Sequence, residues 1–161
     1  MKNLDYLKLD EKKVSNVVDA LAQLLADFHV YYANLRGLHW NVKGRGFFHL
    51  HSKYEEFYDD AAVKIDEVAE RILQLGATPE NRFSEYLKVA TIKEDNDTLL
   101  GHEGMERVLN MLGVLIKDER KVLEAADKAD DEVTKALMSD YLKVQEKTVW
   151  MLVAFLTKEP K

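Results

Sequence analysis

From Val14 to Leu35 the apolar side chains fall at steps of three and four residues, through Val17, Val18, Leu21, Leu24, Leu25, Phe28, Tyr31 and Tyr32. That spacing is one face of a long helix. Comparable stripes recur in three later segments, and only seven glycines and two prolines punctuate the 161 residues. With so few breakers and no convincing alternation of apolar and polar residues, the chain is predicted to be all-α. Its 47% hydrophobic residues supply a core for one domain, and residues 1–161 read as a single unit.

Asp10, just before Glu11, is placed to cap the first long helix, and Gly44 and Gly46 end it. The second begins at Phe47 or Phe48, keeps Phe47, Tyr54, Tyr58, Ala61, Ile65, Val68, Ile72 and Leu75 on one face, and stops before Gly76 and Pro79. Residues 77–95 are too many for a tight helical hairpin and read as a crossover carrying a small helix over 82–89. Leu99, Leu100, Val108, Leu109, Leu112, Leu115, Ile116, Val122 and Leu123 mark a third helix that starts near Gly101 and Gly104. The polar run Asp127 to Glu132 separates it from a fourth, built on Val133, Leu137, Tyr141, Leu142, Val149, Trp150, Leu152, Val153 and Leu156. The prediction is a four-helix bundle of the crossover kind, with a short extra helix between its second and third long helices.

Composition narrows the chemistry. There is no cysteine, which removes disulfides, thiolate metal sites and thiol nucleophiles and leaves His and carboxylate as the metal ligands available. No apolar run is long enough to span a membrane and the N-terminal MKNLDYLKLDEKK has no signal-peptide core, so a cytoplasmic chain without membrane partners is expected. A net charge of −6 provides no general field for nucleic acid. Phosphate-binding loops, nucleophile elbows and H-E-x-x-H zinc helices are all missing from the sequence.

On the second helix His51, Glu55, Asp66 and Glu70 lie at about 0°, 40°, 60° and 100° around the axis, one polar stripe bordering the apolar face. The plain alternative is a packed histidine with solvated acids paired to Arg71 or Lys64. Yet His51 and Asp66 stand roughly 22 Å apart along the axis, beyond the reach of one metal ion. A twofold axis crossing the helix would bring His51 of one copy to Asp66 and Glu70 of another, and His39 continues the first helix's stripe towards the same place. Imidazoles and carboxylates suit Fe(II), Mn(II) or Zn(II) alike. Without any Glu-x-x-His pair, a two-iron site inside the bundle is disfavoured.

The segments Leu38-His39-Trp40-Asn41-Val42-Lys43-Gly44, Phe47-Phe48-His49-Leu50-His51 and Asp66 to Gly76 resemble the Dps family of mini-ferritins. The shared pattern is a His-Trp pair, a second His twelve residues on, an acid four residues later, and a D-x-x-A-E-R run whose Asp lies fifteen residues past the second His. His39, His51, Glu55, Asp66 and Glu70 fit each spacing, with Glu55 standing where many members carry Asp. The resemblance implies a ferritin-like bundle and a dodecamer with sites shared at twofold interfaces. It also implies ferroxidase activity, in which hydrogen peroxide or dioxygen takes Fe(II) to Fe(III), mineral is stored inside the shell, and the cell is spared oxidative stress. His39 and His51 are then ligands from one subunit and Asp66 and Glu70 from its neighbour, while Glu55 is a further ligand or lies just behind them. Trp40 is either an interface or core aromatic or, by the resemblance, an electron donor near the site. Asp130, Asp131, Glu132 and Asp140 are candidates for an acidic iron-entry pore, with ordinary solvated helix-start charge as the alternative.

A DNA-compacting protein with a nucleoid address is the second functional expectation, and a metal-free scaffold the third. Residues 1–13 set Lys2, Lys8, Lys12 and Lys13 against Asp5, Asp10 and Glu11, and the last five residues add one more excess positive charge. Such sparse tails make DNA binding doubtful.

Overall fold

The structure is a computed structural model that describes residues 2–95 and 100–157. Six helices follow one another: α1 (Asn3–Leu7), α2 (Glu11–Asn41), α3 (Phe47–Gln74), α4 (Phe83–Val89), α5 (Gly101–Lys128) and α6 (Glu132–Leu156). The four long ones form the bundle, α2 packing on α3 and α5, and α5 on α6. The short α4 sits in the crossover against α2. No helix among the described residues is long and apolar enough to cross a membrane.

Each boundary has a local cause. The Asp10 carboxylate accepts the Lys12 and Lys13 amides and caps α2. The turn into α3 runs through Gly44 (φ 89°) and Gly46 (φ 85°), left-handed positions that a side chain would strain. Gly104, inside α5, is there for space, since a methyl group at that position would run into the Tyr54 hydroxyl. The core is drawn from all four long helices, with Val17, Leu21, Leu24 and Leu35 of α2 meeting Tyr54, Val68 and Ile72 of α3, Val108, Leu115 and Val122 of α5, and Met138 of α6. Each such side chain contributes about 1.5–3 kcal/mol by leaving water.

The crossover is fastened by buried polar groups on α2. Asp27 accepts the Ile92 amide at 2.7 Å, and the Asn34 side chain donates to Lys93 O at 2.9 Å and accepts the Asp95 amide at 3.1 Å. His29 stacks on Tyr86 of α4 at 4.2 Å, and burial lowers the His29 pKa.

Several expectations need correction. Residues 2–9 are no free tail: Asn3 donates to Leu73 O and Gln74 O at the end of α3, while Lys2 pairs with Glu11. Five residues are too few to show helical periodicity, so α1 was invisible to it. The third helix continues through Asp127 and Lys128, and the break is only Ala129–Asp131, with Asp130 left-handed at φ 56°. Leu100, assigned to an apolar face, is the exposed N-cap of α5, and Leu99 lies outside the described residues. Val133, Trp150 and Val153 of α6 are exposed rather than core, because they lie on the side of α6 turned from the bundle of this chain.

Candidate metal centre

The turn between α2 and α3 brings His39 and His51 face to face. Their rings stack at 3.7 Å between centroids with 22° between planes. Each imidazole is held by the other residue's backbone: His39 Nδ1 donates to His51 O at 2.8 Å, and His51 Nδ1 donates to His39 O at 2.9 Å. A carbonyl oxygen only accepts, so both Nδ1 atoms carry hydrogen and, in the neutral rings, both lone pairs sit on Nε2. This is the arrangement that orients histidine for a metal ion. Phe47 stacks on His51 at 5.1 Å and Tyr58 meets His39 edge-on at 5.3 Å, which closes the remaining ring faces.

The acids are differently placed. Glu55, one turn beyond His51, is exposed and accepts the Tyr58 hydroxyl at 3.4 Å. Partial burial and the Glu55 and Asp59 carboxylates raise the Tyr58 pKa. Asp66 and Glu70 are both exposed on α3. Arg71 and Lys64 do not neutralise them, since Arg71 pairs with Asp131 and Lys64 with Asp60. Among the described residues of one chain, no three His, Asp or Glu side chains come close enough to hold a metal ion. The two histidines are therefore joined within the chain, and Asp66 and Glu70 are not brought to them.

Trp40 follows His39 but points outward, 63% exposed, with the Arg36 guanidinium 4.6 Å above its ring. A place in the bundle core is thereby overturned, because the helix turn that buries His39 carries its neighbour to the outside.

At the start of α6 the four acids separate. Asp131 is buried at 1% exposure: it caps Thr134 N at 3.1 Å, accepts the Thr134 hydroxyl at 2.5 Å, and receives Arg71 of α3 at 2.6 Å. Arg71 Nε also donates to the Thr134 hydroxyl oxygen. Asp131 is thus a structural cap and counter-ion, and its candidacy for a pore is corrected. Asp130 pairs with Lys13 at 2.9 Å and Glu132 with Lys135 at 3.1 Å, both in water, and Asp140 is exposed one face further along α6.

A model of the ferritin-like domain matches residues 18–161. The DNA protection during starvation protein of Porphyromonas gingivalis is 54% identical over 157 residues, covering 98% of this chain and 99% of that protein. The chain belongs to the Dps family. Among solved structures, a Dps protein of Vibrio cholerae O1, described as one of a broad superfamily of ferritin-like diiron-carboxylate proteins, superposes with a TM-score of 0.90 at 48% identity, covering 92% of this chain and 94% of that one. Dps from Bacillus brevis gives a TM-score of 0.87 at 36% identity, over 91% and 98%. The Dps fold expected from the residues, a ferritin-like bundle with a helix in its crossover, is the fold observed.

Two features of this Dps chain escaped sequence reasoning. Arg71 lies inside the quoted D-x-x-A-E-R run, but its partners at Asp131 and Thr134 are 60 and 63 residues away. The bundle centre holds Asp27, Lys64, Asp118, Glu119 and Gln145, all buried, at positions where nothing but helical spacing among charged residues was visible.

Proposed function

We propose that the chain oxidises Fe(II) at sites shared between two copies and stores the ferric product inside a closed shell of twelve. One observation carries this reading: His39 and His51 are locked with both Nε2 lone pairs available, while Asp66 and Glu70, four to five turns further along α3, stay out of their reach. A second copy related by a twofold axis supplies Asp66 and Glu70, and each pair of chains then makes two equivalent sites. Glu55, one turn from His51, completes or supports the ligand set. The mix of imidazole and carboxylate suits Fe(II) and keeps affinity for Fe(III) high after oxidation.

Iron here is the substrate. Two Fe(II) ions give one electron each to one molecule of hydrogen peroxide, whose O–O bond breaks to two water-level oxygens, so no hydroxyl radical need be released. With dioxygen as oxidant, the same electrons reduce it to peroxide. The histidine lock fixes the donor atoms before iron arrives, which removes reorganisation from the binding step. Trp40, exposed beside His39, is placed to give an electron to an oxidising intermediate.

Protection of DNA, in this reading, comes from removal of iron and peroxide. Sequence-independent DNA binding needs free cations. Lys2 is paired with Glu11 and Lys13 with Asp130, which leaves Lys8 and Lys12 as the N-terminal cations without a carboxylate described beside them. The cytoplasm is the compartment that fits a chain with this chemistry.

Complementation tests the shared site. A His51→Ala subunit and an Asp66→Ala/Glu70→Ala subunit are each expected to be nearly inactive in iron oxidation, and shells assembled from both should recover part of the activity. Mixed shells that form and stay inactive would refute the arrangement.

A further inference from the structure

We propose that Glu119 is a neutral carboxylic acid at neutral pH, joined to Gln145 in a two-bond ring, and that this proton rather than a metal ion fills the polar centre of the bundle. Glu119 is 0% exposed and Gln145 4%. The Gln145 amide donates to Glu119 Oε1 at 2.5 Å, and no hydrogen-bond partner reaches either Glu119 Oε2 or Gln145 Oε1. Both leftover atoms are acceptors. Two acceptors, one on each member of a pair already joined by an N–H···O bond, need a single donor between them. A hydrogen on Glu119 Oε2 donating to Gln145 Oε1 satisfies both atoms at once and closes an acid–amide ring. Left ionised, the pair would bury a charge beside two unpaired acceptors, which costs more than protonation does.

A metal ion is the other way to satisfy leftover acceptors, and the surroundings disfavour it. No three His, Asp or Glu side chains among the described residues converge on one point. A cation is already resident, for Lys64 of α3 is buried, pairs with Asp60, and lies 5.1 Å over the Tyr141 ring. The other groups facing Glu119 are Tyr31 from α2, Asp60 from α3, Asp118 beside it on α5, and Tyr141 from α6, whose hydroxyl donates to Glu67 at 2.7 Å. Burial is the main force pushing the Glu119 pKa up to about 8, with Asp118 and Asp60 adding to it and the Gln145 bond and Lys64 opposing it. In ferritin-like proteins that hold two irons within a bundle, inward carboxylates and Glu-x-x-His pairs occupy such positions. Here the proton takes the place between Glu119 Oε2 and Gln145 Oε1 that an ion would need, Lys64 supplies the cation paired with Asp60, and Asp118 Oδ2 is the acceptor still without a hydrogen-bond partner beside them.

The proton also sets how stability depends on pH. Below the ordinary glutamate range, folded and unfolded chains both hold it. As pH rises from there to about 8, the unfolded chain releases the proton and the folded one keeps it, so stability falls. Above about 8 the folded chain releases it too and the slope disappears.

The test uses the assembled protein with 13C-labelled glutamate side chains. Glu119 is the sole buried glutamate among the described residues, so the expected result at pH 7 is one protonated glutamate carboxyl carbon per subunit, titrating near pH 8 and absent from Glu119→Gln. The isosteric variant should also flatten the decline in Tm between about pH 5 and 8. If Glu119→Gln fails to assemble, the signal and its titration in the unaltered protein still decide. Glutamates that are all ionised at pH 7 would overturn the proposal. So would a Co(II) titration in which Glu119→Gln loses one site per subunit while His51→Ala retains it.

Discussion

His39 and His51 hold each other through their backbones, each Nδ1 donating to the other's carbonyl at 2.8 and 2.9 Å. Substituting either residue removes a ligand and takes away the ring stacked on the one that remains, although the carbonyl that accepts from the remaining imidazole is kept. His39→Ala and His51→Ala are each expected to slow iron oxidation by at least about 10–100-fold. The double variant should be little worse than either single one. Initial rates of Fe(II) oxidation followed optically, with matched peroxide, check this. Effects that multiply in the double variant would mean that the two imidazoles act independently.

Asp131 ties the start of α6 to Arg71 of α3 in a buried ion pair. Removing one partner leaves the other charge buried and uncompensated, which costs about 3–5 kcal/mol. Asp131→Ala should therefore lower the Tm markedly, as thermal unfolding would show. A Tm close to that of the unaltered protein would return Asp131 to the pool of exposed acids.

Glu132, Asp130 and Asp140 are the remaining candidates for an iron-entry route. Their exposure means that Glu132→Gln and Asp140→Asn should change the Tm little. Stopped-flow uptake of Fe(II) should slow in these variants if the acids concentrate the cation. Asp130→Asn also breaks the surface pair with Lys13, which water screens, so its loss should change the Tm little as well. Unchanged uptake in all three would remove this end of α6 from the route.

Plasmid DNA is expected to show no stable retardation by the protein at about 150 mM salt, where screening is strong. The proposed shell of twelve, each copy carrying −6, would repel the duplex, and two of the four lysines in residues 1–13 are engaged with carboxylates of their own chain. Glu11→Gln would release Lys2 from its pair and should raise binding at low salt. A gel shift in the absence of added divalent metal reads both effects, and a stable complex of the unaltered protein would contradict the expectation. Avidity across the copies of the proposed shell is the force that would have to prevail.

The sequence by itself determined the four long helices, the short one in the crossover and the family. Apolar steps of three and four between Val14 and Leu35 and between Tyr54 and Leu75 report a geometry that is complete within one helix, which is why α2 and α3 were legible almost to the residue. The His39, His51, Asp66 and Glu70 spacing was equally visible, and the distance between His51 and Asp66 along α3 already pointed to a second copy. Only the tertiary structure decided what each polar group meets. The histidine lock needs two carbonyls brought together across a turn, and the carbonyls carry no side-chain signature. Asp131 looked like one acid among four until Arg71 reached it from 60 residues away. Glu119 carries nothing in the sequence to set it apart from other helix charges, and it is buried because α6 covers it with Gln145, 26 residues on. α1 is held by Asn3 against carbonyls some 70 residues distant, with too short a span to show a pattern. Periodicity records which way a side chain faces on its own helix, and the partner it finds there depends on how separate helices pack.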